Sequence, residues 1–241
     1  MGYRGFPSPS DLFYLLLGPC VAAGLLAEAF RLASLADPDH LLLVDIADPR
    51  APQVVGSVSI PDYIEGLAAV GTLAYVGVYE ITYPNYYNTF QVFDVSDPSA
   101  PDLLGSIDAK AKDIAVQGNY AYVAGGQLTV IDVSQPAAPA IVATLDVGRD
   151  AHSVAIDGQS AYVYGSLGGI GEPPPPVVAV VDIAEPTNPQ YVNGTLGYSW
   201  LVAAAYPYVY RATGSSWEVW PAQCEPGSAV PGESPAGLAP P

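Results

Sequence analysis

Four aspartates recur at one fixed place in this 241-residue sequence, each ending an apolar run that leads into a proline-rich turn. The copies of this phrase are Leu41–Pro52, Phe90–Pro101, Leu128–Pro139 and Val178–Pro189, and their aspartates are Asp45, Asp94, Asp132 and Asp182. Four carboxylates on one ring could in principle hold a metal ion. Aspartate also accepts hydrogen bonds from nearby amides in turns, which is the better-supported interpretation. We therefore predict structural turn residues, with no metal and no cofactor.

Catalytic motifs are scarce. The two histidines, His40 and His152, lie in different segments, and no zinc-ligand spacing, nucleophile elbow, phosphate loop or EF-hand pattern occurs. Catalytic residues can converge from distant segments, so the enzyme question stays open, although no catalytic residue is predicted.

Tyrosine is concentrated in one insertion, Tyr79–Asn88, where four of ten residues are tyrosines. Tyrosine offers a rigid, amphipathic surface that suits recognition of a sugar or a protein. The alternative is a loop that only covers its own part of the fold. The binding hypothesis combines these tyrosines with bases and aromatics expected on the same face: Tyr79, Tyr83, Tyr86, Tyr87, Lys112, Arg149, His152 and Trp200.

The elements that must position these residues are short strands. Each phrase alternates apolar with polar or small residues, turns at a proline and enters a second apolar run, which indicates strand, rigid turn and strand. Two further runs follow in each copy, and three of their four junctions read Gly-polar, as in Gly118-Asn119. Four strands per copy, at a period near forty residues, predict an all-β repeat fold.

These residues resemble the bacterial LVIVD repeat family. The match is carried by residues 128–133 (LTVIDV), 90–105 (FQVFDVSDPSAPDLLG) and 114–124 (IAVQGNYAYVA), and it covers roughly residues 41–220. Gln135 and Glu185 depart from it by replacing the usual aspartate. The resemblance implies a β-propeller of about four blades, closed or open, secreted or at the cell surface, without a common chemistry. With the usual inner-to-outer strand order, the insertions Tyr79–Asn88 and Gly165–Pro176 fall on one face and the Asp-Pro turns on the other.

Residues 1–36 form a separate apolar segment in which Leu12–Ala27 carries no charge. A secretory signal peptide cleaved before Asp37 is one interpretation. A helix packed on the β body is a second, and a membrane anchor is a third. The helix would present the apolar face Leu25, Leu26, Ala29, Phe30, Leu32 and Ala33.

The C-terminal part of the repeats predicts an assembly edge, that is, an edge strand that packs against another segment or another copy of the chain. After the repeats, which we assign to residues 37–220, Ser216–Trp220 stands where a further strand would begin, and residues 221–241 are proline-rich and predicted to be disordered. The strands from Leu41 lack inner partners in this interpretation. We expect Trp217 and Trp220 to be buried against residues 12–36 or against another copy.

The net charge of the chain limits the classes of partner that it is expected to bind. The chain has 24 acids against 7 bases, a net charge of −17, which argues against nucleic acid and against strong membrane binding beyond the N-terminal segment. Cys20 and Cys224 are compatible with a disulfide and with two free thiols. The leading hypothesis is a secreted or cell-surface, non-enzymatic module that binds a protein, a glycan or copies of itself. The alternative is a hydrolase or lyase that uses the insertion-bearing face.

Overall fold

All the regular structure in the described part of the chain is β. A computed structural model describes residues 32–37, 40–45, 50–60, 63–82, 85–147, 150–165, 177–196, 201–205, 208–212 and 217–221. These ranges contain 18 strands and no helix, and so no helix with the length and apolar character of a membrane span. The strands are β1 (Leu32–Asp37), β2 (His40–Asp45), β3 (Gln53–Ser59), β4 (Tyr63–Val70), β5 (Leu73–Thr82), β6 (Asn85–Asp94), β7 (Asp102–Asp108), β8 (Asp113–Gln117), β9 (Tyr120–Ala124), β10 (Leu128–Asp132), β11 (Ala140–Leu145), β12 (Ala151–Asp157), β13 (Ser160–Gly165), β14 (Val177–Asp182), β15 (Gln190–Leu196), β16 (Leu201–Ala205), β17 (Tyr208–Ala212) and β18 (Trp217–Pro221).

The strands form five small antiparallel sheets in chain order: β1–β3, β4–β7, β8–β11, β12–β15 and β16–β18, numbered here sheet 1 to sheet 5. Within each sheet, every strand pairs with the next one along the chain. The aspartate-ending runs are the third strands of the four-stranded sheets, and β2 matches them in sheet 1. Among the described residues, sheet 1 therefore has no counterpart of the first strand and sheet 5 none of the fourth.

The predicted N-terminal helix is wrong where it can be compared. Residues 32–37 are strand β1, which pairs with β2 in a regular register from Leu32↔Asp45 to Asp37↔His40. The apolar and small residues of Leu32–Asp37 are compatible with a strand, and β2 supplies the partner for its backbone amides. Strand β2 thus has a neighbour on its inner side, contrary to the expectation that it lacked one. The rest of the predicted segment, residues 1–31 with Cys20, lies outside the described residues.

The apolar cores lie between neighbouring sheets. Sheets 3 and 4 share the largest core, which includes Tyr122, Leu128, Val163 and Val181. Further cores join sheet 1 to sheet 2, sheet 2 to sheet 3, and sheet 4 to sheet 5. Strand β9 shows why its sequence is almost wholly apolar: Tyr122 and Ala124 face sheet 4, whereas Ala121 and Val123 face sheet 2.

The Asp-Pro turns repeat in detail. The carboxylate of Asp94 accepts a hydrogen bond from the Ser96 amide at 2.8 Å, and those of Asp132 and Asp182 do the same for the amides two residues on. Within the turn, the Ala100 amide donates to the Asp97 carbonyl, with Pro98 between them. The side-chain bonds and the proline together hold each third strand in register with the fourth. Residues 46–49, which follow Asp45, lie outside the described residues.

Two ends of the sheets can now be distinguished. The Asp-Pro turns and the glycine turns between first and second strands, such as Gly118 at φ 60°, lie at one end, which we call the turn face. The connections between second and third strands lie at the other end, which we call the hairpin face. The insertion Tyr79–Asn88 is on the hairpin face, but its described residues are not a loop, because they lengthen β5 and β6 into two ten-residue strands paired out to Thr82↔Asn85.

Candidate functional site

First strands begin at the hairpin face with residues that occupy the same position in every repeat. Register places Gly66, Asp113 and Ser153 at one position, since each starts the regular pairing with the second strand. The preceding residue is Glu65, Lys112 or His152. Glu65 and His152 lie in β-bulges, because strand pairing passes directly from Ile64 to Gly66 and from Ala151 to Ser153. Bulges turn side chains out of the regular sheet direction, so unlike chemical groups converge here.

Glycines bring the lysine segment close to the sheets. A Cβ on Gly77 or Gly66 of sheet 2 would overlap the carbonyl oxygen of Ala111, and one on Gly125 of sheet 3 would overlap that of Lys110. The Lys112 amide also donates to the Ala124 carbonyl at 2.8 Å. The backbone of 110–112 is therefore fixed between sheets 2 and 3.

Four charged or titratable groups converge at this position. The ammonium of Lys112 lies 3.2 Å from Asp150 Oδ1 and 3.2 Å from His152 Nδ1. The ammonium of Lys110 lies 3.7 Å from Asp150 Oδ1, and His152 Nε2 lies 3.9 Å from Asp150 Oδ2. We call Lys110, Lys112, Asp150 and His152 the hairpin-face cluster.

The Lys112 contact sets the tautomer of His152. An ammonium can only donate, so Nδ1 is the acceptor and the ring proton resides on Nε2. Burial lowers the pKa of His152, and the positive charge of Lys112 lowers it further, against the opposing charges of Asp150 and Glu65. The imidazole is therefore neutral near pH 7, with an N–H that points to no acceptor within hydrogen-bond distance among the described residues.

Asp150 is held in an uncommon conformation. Its φ is 63°, a left-handed value that aspartate tolerates better than most residues. Burial acts to raise the pKa of Asp150, but the hydrogen bond and charge of Lys112, with the charges of Lys110 and His152, outweigh it and lower that pKa. The carboxylate is thus ionised and bridges the two lysines.

Three tyrosines, Tyr63, Tyr79 and Tyr86, form a group on the side of sheet 2 along which the lysine segment runs. The rings of Tyr79 and Tyr86 lie parallel within 4°, with centroids 5.9 Å apart, and Tyr63 pairs with Tyr79 across β4 and β5. Tyr79 lies two residues beyond Gly77, so it points to the side of sheet 2 on which the lysine segment runs. Tyr63 and Tyr86 remain 55% and 60% exposed, which leaves ring surface for a partner.

Asp113 links sheets at the same level. Its carboxylate accepts the Ile114 amide at 2.9 Å through one oxygen and the Val154 amide of sheet 4 at 2.9 Å through the other. Ser153, at the matching position, receives the Val202 amide of sheet 5 at 3.5 Å. Burial raises the pKa of Asp113, against hydrogen bonds from Ser153, Val154 and Ile114. The residue keeps part of its surface exposed while its carboxylate is enclosed.

The residues predicted for binding divide into three sets. Lys112 and His152 meet in the cluster. Tyr79 stacks with Tyr86 on the same face, whereas Tyr87 follows Tyr86 and points to the opposite side of the hairpin. Tyr83, Arg149 and Trp200 lie outside the described residues. Glu65 was missed, although aligning the repeats would have matched it with Lys112.

The remaining predicted residues lie elsewhere. The turn aspartates are on the turn face, and no group of histidine, cysteine or acidic residues in the described ranges has a metal-binding arrangement. Trp217 and Trp220 belong to β18, which pairs with β17 from Ala212↔Trp217 to Tyr208↔Pro221. Cys224 lies outside the described residues.

The sequence matches one protein family. A family model described as LVIVD repeat matches residues 33–60, 65–109 and 108–147, which include Lys110 and Lys112 of the cluster. A search among curated proteins finds no match.

Solved structures resemble the fold. A functionally unknown protein from Desulfotomaculum acetoxidans DSM 771 is 12% identical, with a TM-score of 0.60 over 79% of this chain. The computationally designed Ika8 and Ika4 proteins are each 14% identical, with TM-scores of 0.58 and 0.51 over 82% and 66% of this chain. The chain covers 61% of the Desulfotomaculum protein, 57% of Ika8 and 91% of Ika4. At these identities the similarity shows the propeller-like fold alone.

Proposed function

We propose that this chain, whose residues 33–60, 65–109 and 108–147 match the LVIVD repeat family model, is a non-enzymatic binding module, secreted or displayed at the cell surface, that recognises a protein or a glycan through its hairpin face. We further propose that sheets 1 to 5 are successive blades of a β-propeller, in a ring or an open arc. The packing of each sheet on its sequence neighbours supports this arrangement.

One observation carries the binding proposal. A chain with 24 acids and 7 bases brings two lysines and its neutral His152 together on the same face that carries an exposed tyrosine group. Exposed aromatic and cationic groups that share a face are typical of a recognition surface. On the turn face, by contrast, the described aspartates are engaged in their own backbone turns, which is a structural role.

A binding screen tests the proposal. The full chain would be labelled and applied to arrays of bacterial and plant glycans and to extracellular protein fractions, together with the variants Lys112→Gln and Arg50→Gln. Both substitutions remove one positive charge, but Arg50 lies in the β2–β3 turn on the turn face. A specific partner should lose affinity for the first variant and keep it for the second. Partners that respond equally to both variants would argue against the hairpin face.

Export is a separate part of the proposal, supported by the uncharged run Leu12–Ala27. Fractionation of cells that produce the full chain tests it. Protein recovered outside the cell or on its surface supports export, and confinement to the cytoplasm contradicts it.

A hydrolase or lyase remains the second candidate because His152 is neutral and lies beside a carboxylate. The 3.9 Å from His152 Nε2 to Asp150 Oδ2 exceeds hydrogen-bond length, so the pair lacks the tight contact expected of an oriented base. The test is prolonged incubation of the full chain with polysaccharides, followed by assay of new reducing ends and of unsaturated products. Cleavage that disappears in His152→Gln would establish the enzyme, and its absence in both proteins would leave binding as the function.

A further inference from the structure

We infer that the hairpin-face cluster binds the carboxylate of a uronic-acid residue in an oligosaccharide, with the neighbouring tyrosine group stacked against the sugar ring. This inference rests on the proposed binding function and assigns its ligand class. It is argued from three features of the described residues: uncommitted donors, a partly enclosed position, and exposed tyrosines on the side of sheet 2 that faces the lysine segment.

The donors exceed the acceptors that engage them. Lys112 has three N–H groups and uses two, on Asp150 Oδ1 and His152 Nδ1. Lys110 makes only the longer 3.7 Å ion pair with Asp150, and His152 Nε2–H makes no hydrogen bond within the described residues. A carboxylate has four lone-pair positions and accepts from several donors at once. An anionic oxygen pair therefore complements this arrangement better than a hydroxyl does.

Partial burial of Lys110 and Lys112 strengthens their interaction with an anionic ligand. The Lys112 side chain is 20% exposed and the Lys110 side chain 38%, so both side chains lie partly against the protein rather than fully in water. Charge-assisted hydrogen bonds are stronger than neutral ones, and partial burial reduces screening by salt. Glu65 adds an opposing charge, but it is exposed and affects His152 less than Lys112 or Asp150 does.

The tyrosines favour a saccharide over an acidic peptide. Tyr63, Tyr79 and Tyr86 form one group on the side of sheet 2 that faces the lysine segment, and two of them are exposed. The C–H face of a pyranose ring stacks on a flat aromatic surface, while its carboxylate extends from the ring edge. A uronic-acid residue carries both features in one rigid ring, whereas an acidic peptide side chain carries only the carboxylate. A short oligomer also brings few negative charges to a chain of net charge −17.

The test is calorimetric titration of the full chain with trigalacturonate and with its fully methyl-esterified form, which keeps the sugar rings but removes the charge. We expect the acid to bind about tenfold or more tightly than the ester, because the ester loses charge-assisted hydrogen bonds. Lys112→Gln should weaken acid binding by about the same factor, and Tyr86→Ala should weaken binding of both ligands. The matched controls are Arg50→Gln on the turn face and Tyr191→Ala, a tyrosine of the outer strand β15 that is 53% exposed. Both controls should bind like the unaltered chain.

Equal affinity for acid and ester, or no binding of either, overturns the inference. Neither result overturns the proposed function, which is judged by whether any partner from the screen responds to Lys112→Gln. If Lys112→Gln lowers the melting temperature, Lys110→Gln replaces it, because the more exposed Lys110 contributes less to packing. Unchanged acid binding in a folded Lys110→Gln, Lys112→Gln double variant also overturns the inference.

Discussion

His152 occupies the repeat position held by Lys112 in the preceding repeat and by Glu65 in the one before that. Residues 67–69, 114–116 and 154–156, further along the same strands, are all apolar, while this position changes from acid to base to imidazole. Its protonation therefore depends on groups contributed by neighbouring sheets. Lys112, Lys110, Asp150 and Glu65 are the charged groups that act on it.

The lowered pKa of His152 predicts a pH dependence of stability. The unfolded chain binds a proton near the ordinary value of 6.5, whereas the folded chain resists it. The folded state is thus destabilised as the pH falls below that value, and the loss continues until the folded pKa is passed. Between about pH 7.5 and pH 5, the melting temperature should decrease less steeply with falling pH for His152→Gln than for the unaltered chain. Equal slopes in the two proteins would contradict the assignment.

The control for this experiment is Lys112→Gln, followed by nuclear magnetic resonance titration of the His152 ring. Removal of the ammonium should raise the pKa of His152, because one of the three causes that lower it, namely burial, Lys112 and Lys110, is gone. A pKa that stays unchanged would mean that the 3.2 Å contact does not persist in solution.

Asp113 gives a prediction with the opposite sign. Its pKa is raised, so the folded chain holds the proton more tightly, and stability decreases as the pH rises through the window above the ordinary value of 3.8. Asp113→Ala removes the acceptor of the Ile114 and Val154 amides and should lower the free energy of unfolding by about 1–3 kcal/mol. Asp113→Asn keeps an acceptor oxygen and should cost less while abolishing the pH effect. Urea denaturation measures both.

A matched control is Asp102→Ala, since Asp102 is an exposed acid on strand β7. Exposed substitutions change stability by only about 0.5 kcal/mol. A loss in Asp113→Ala no greater than the loss in Asp102→Ala would show that the link between sheets 3 and 4 is energetically idle.

At the scale of elements, the Asp-Pro turn connects the third and fourth strands. Asp132→Ala should lower the melting temperature, because the Ser134 amide loses its 2.8 Å acceptor. Asp132→Asn should restore most of it, since asparagine forms the same turn. The metal content of the purified protein should be identical in all three. Hydrogen bonds with Ser134 lower the pKa of Asp132, so the turn contribution is present above pH 3.8 and lost as the pH falls through the folded pKa. Loss of a bound ion in Asp132→Ala would contradict the turn interpretation.

The contact between sheet 2 and the lysine segment can be tested at Gly77. A methyl group there would overlap the Ala111 carbonyl, so Gly77→Ala should displace residues 110–112. This displacement should lower the affinity for any ligand that Lys112 binds. Gly118→Ala is the comparison, because its methyl group would meet no neighbour and only the φ of 60° is unfavourable. We expect a larger loss of stability for Gly77→Ala than for Gly118→Ala. The reverse order would show that the segment adapts freely.

Much of the element pattern follows from the sequence, for a physical reason. Period-two alternation and Asp-Pro turns are local signals, so the third and fourth strands around Asp94 and Asp132 could be predicted with their turn bonds. The strand Leu32–Asp37 could not, because its apolar, small residues suit a helix equally well until β2 supplies its partner. The same holds for Tyr79–Asn88, where the tyrosines predict recognition but not an extended hairpin.

The cluster shows where sequence reasoning stops. Lys112 and His152 were expected on one face from topology, but their 3.2 Å contact depends on the glycines that let segment 110–112 lie close to sheets 2 and 3. Asp150 bridges Lys110 and Lys112 from a backbone with a left-handed φ, which could not be predicted from the sequence. Side-chain distances between repeats are tertiary quantities, and the repeat pattern fixes only which positions are equivalent.

At the scale of the whole molecule, β18 is part of sheet 5 rather than a surplus strand, since it is paired along its length with β17. Truncation after Thr213 would remove it and leave β17 as an edge. The shortened chain should melt at a lower temperature, because β17 loses its pairing with β18. Any self-association through the edge of β18 should weaken, because that edge is replaced by the edge of β17. Thermal melting and light scattering measure the two effects. An unchanged melting temperature together with an unchanged mass in solution would show that the strand is idle.

The four apolar cores between the five sheets have a further consequence, in the exchange of backbone amides with deuterated solvent. A chain whose parts touch only their sequence neighbours opens from its ends, since an end sheet has one interface to lose and an inner sheet has two. Amides of sheet 3, between the cores that contain Val123 and Tyr122, should exchange most slowly, and those of sheets 1 and 5 fastest. If the two end sheets meet and close a ring, this gradient disappears, so the exchange profile reports closure without any image of the particle.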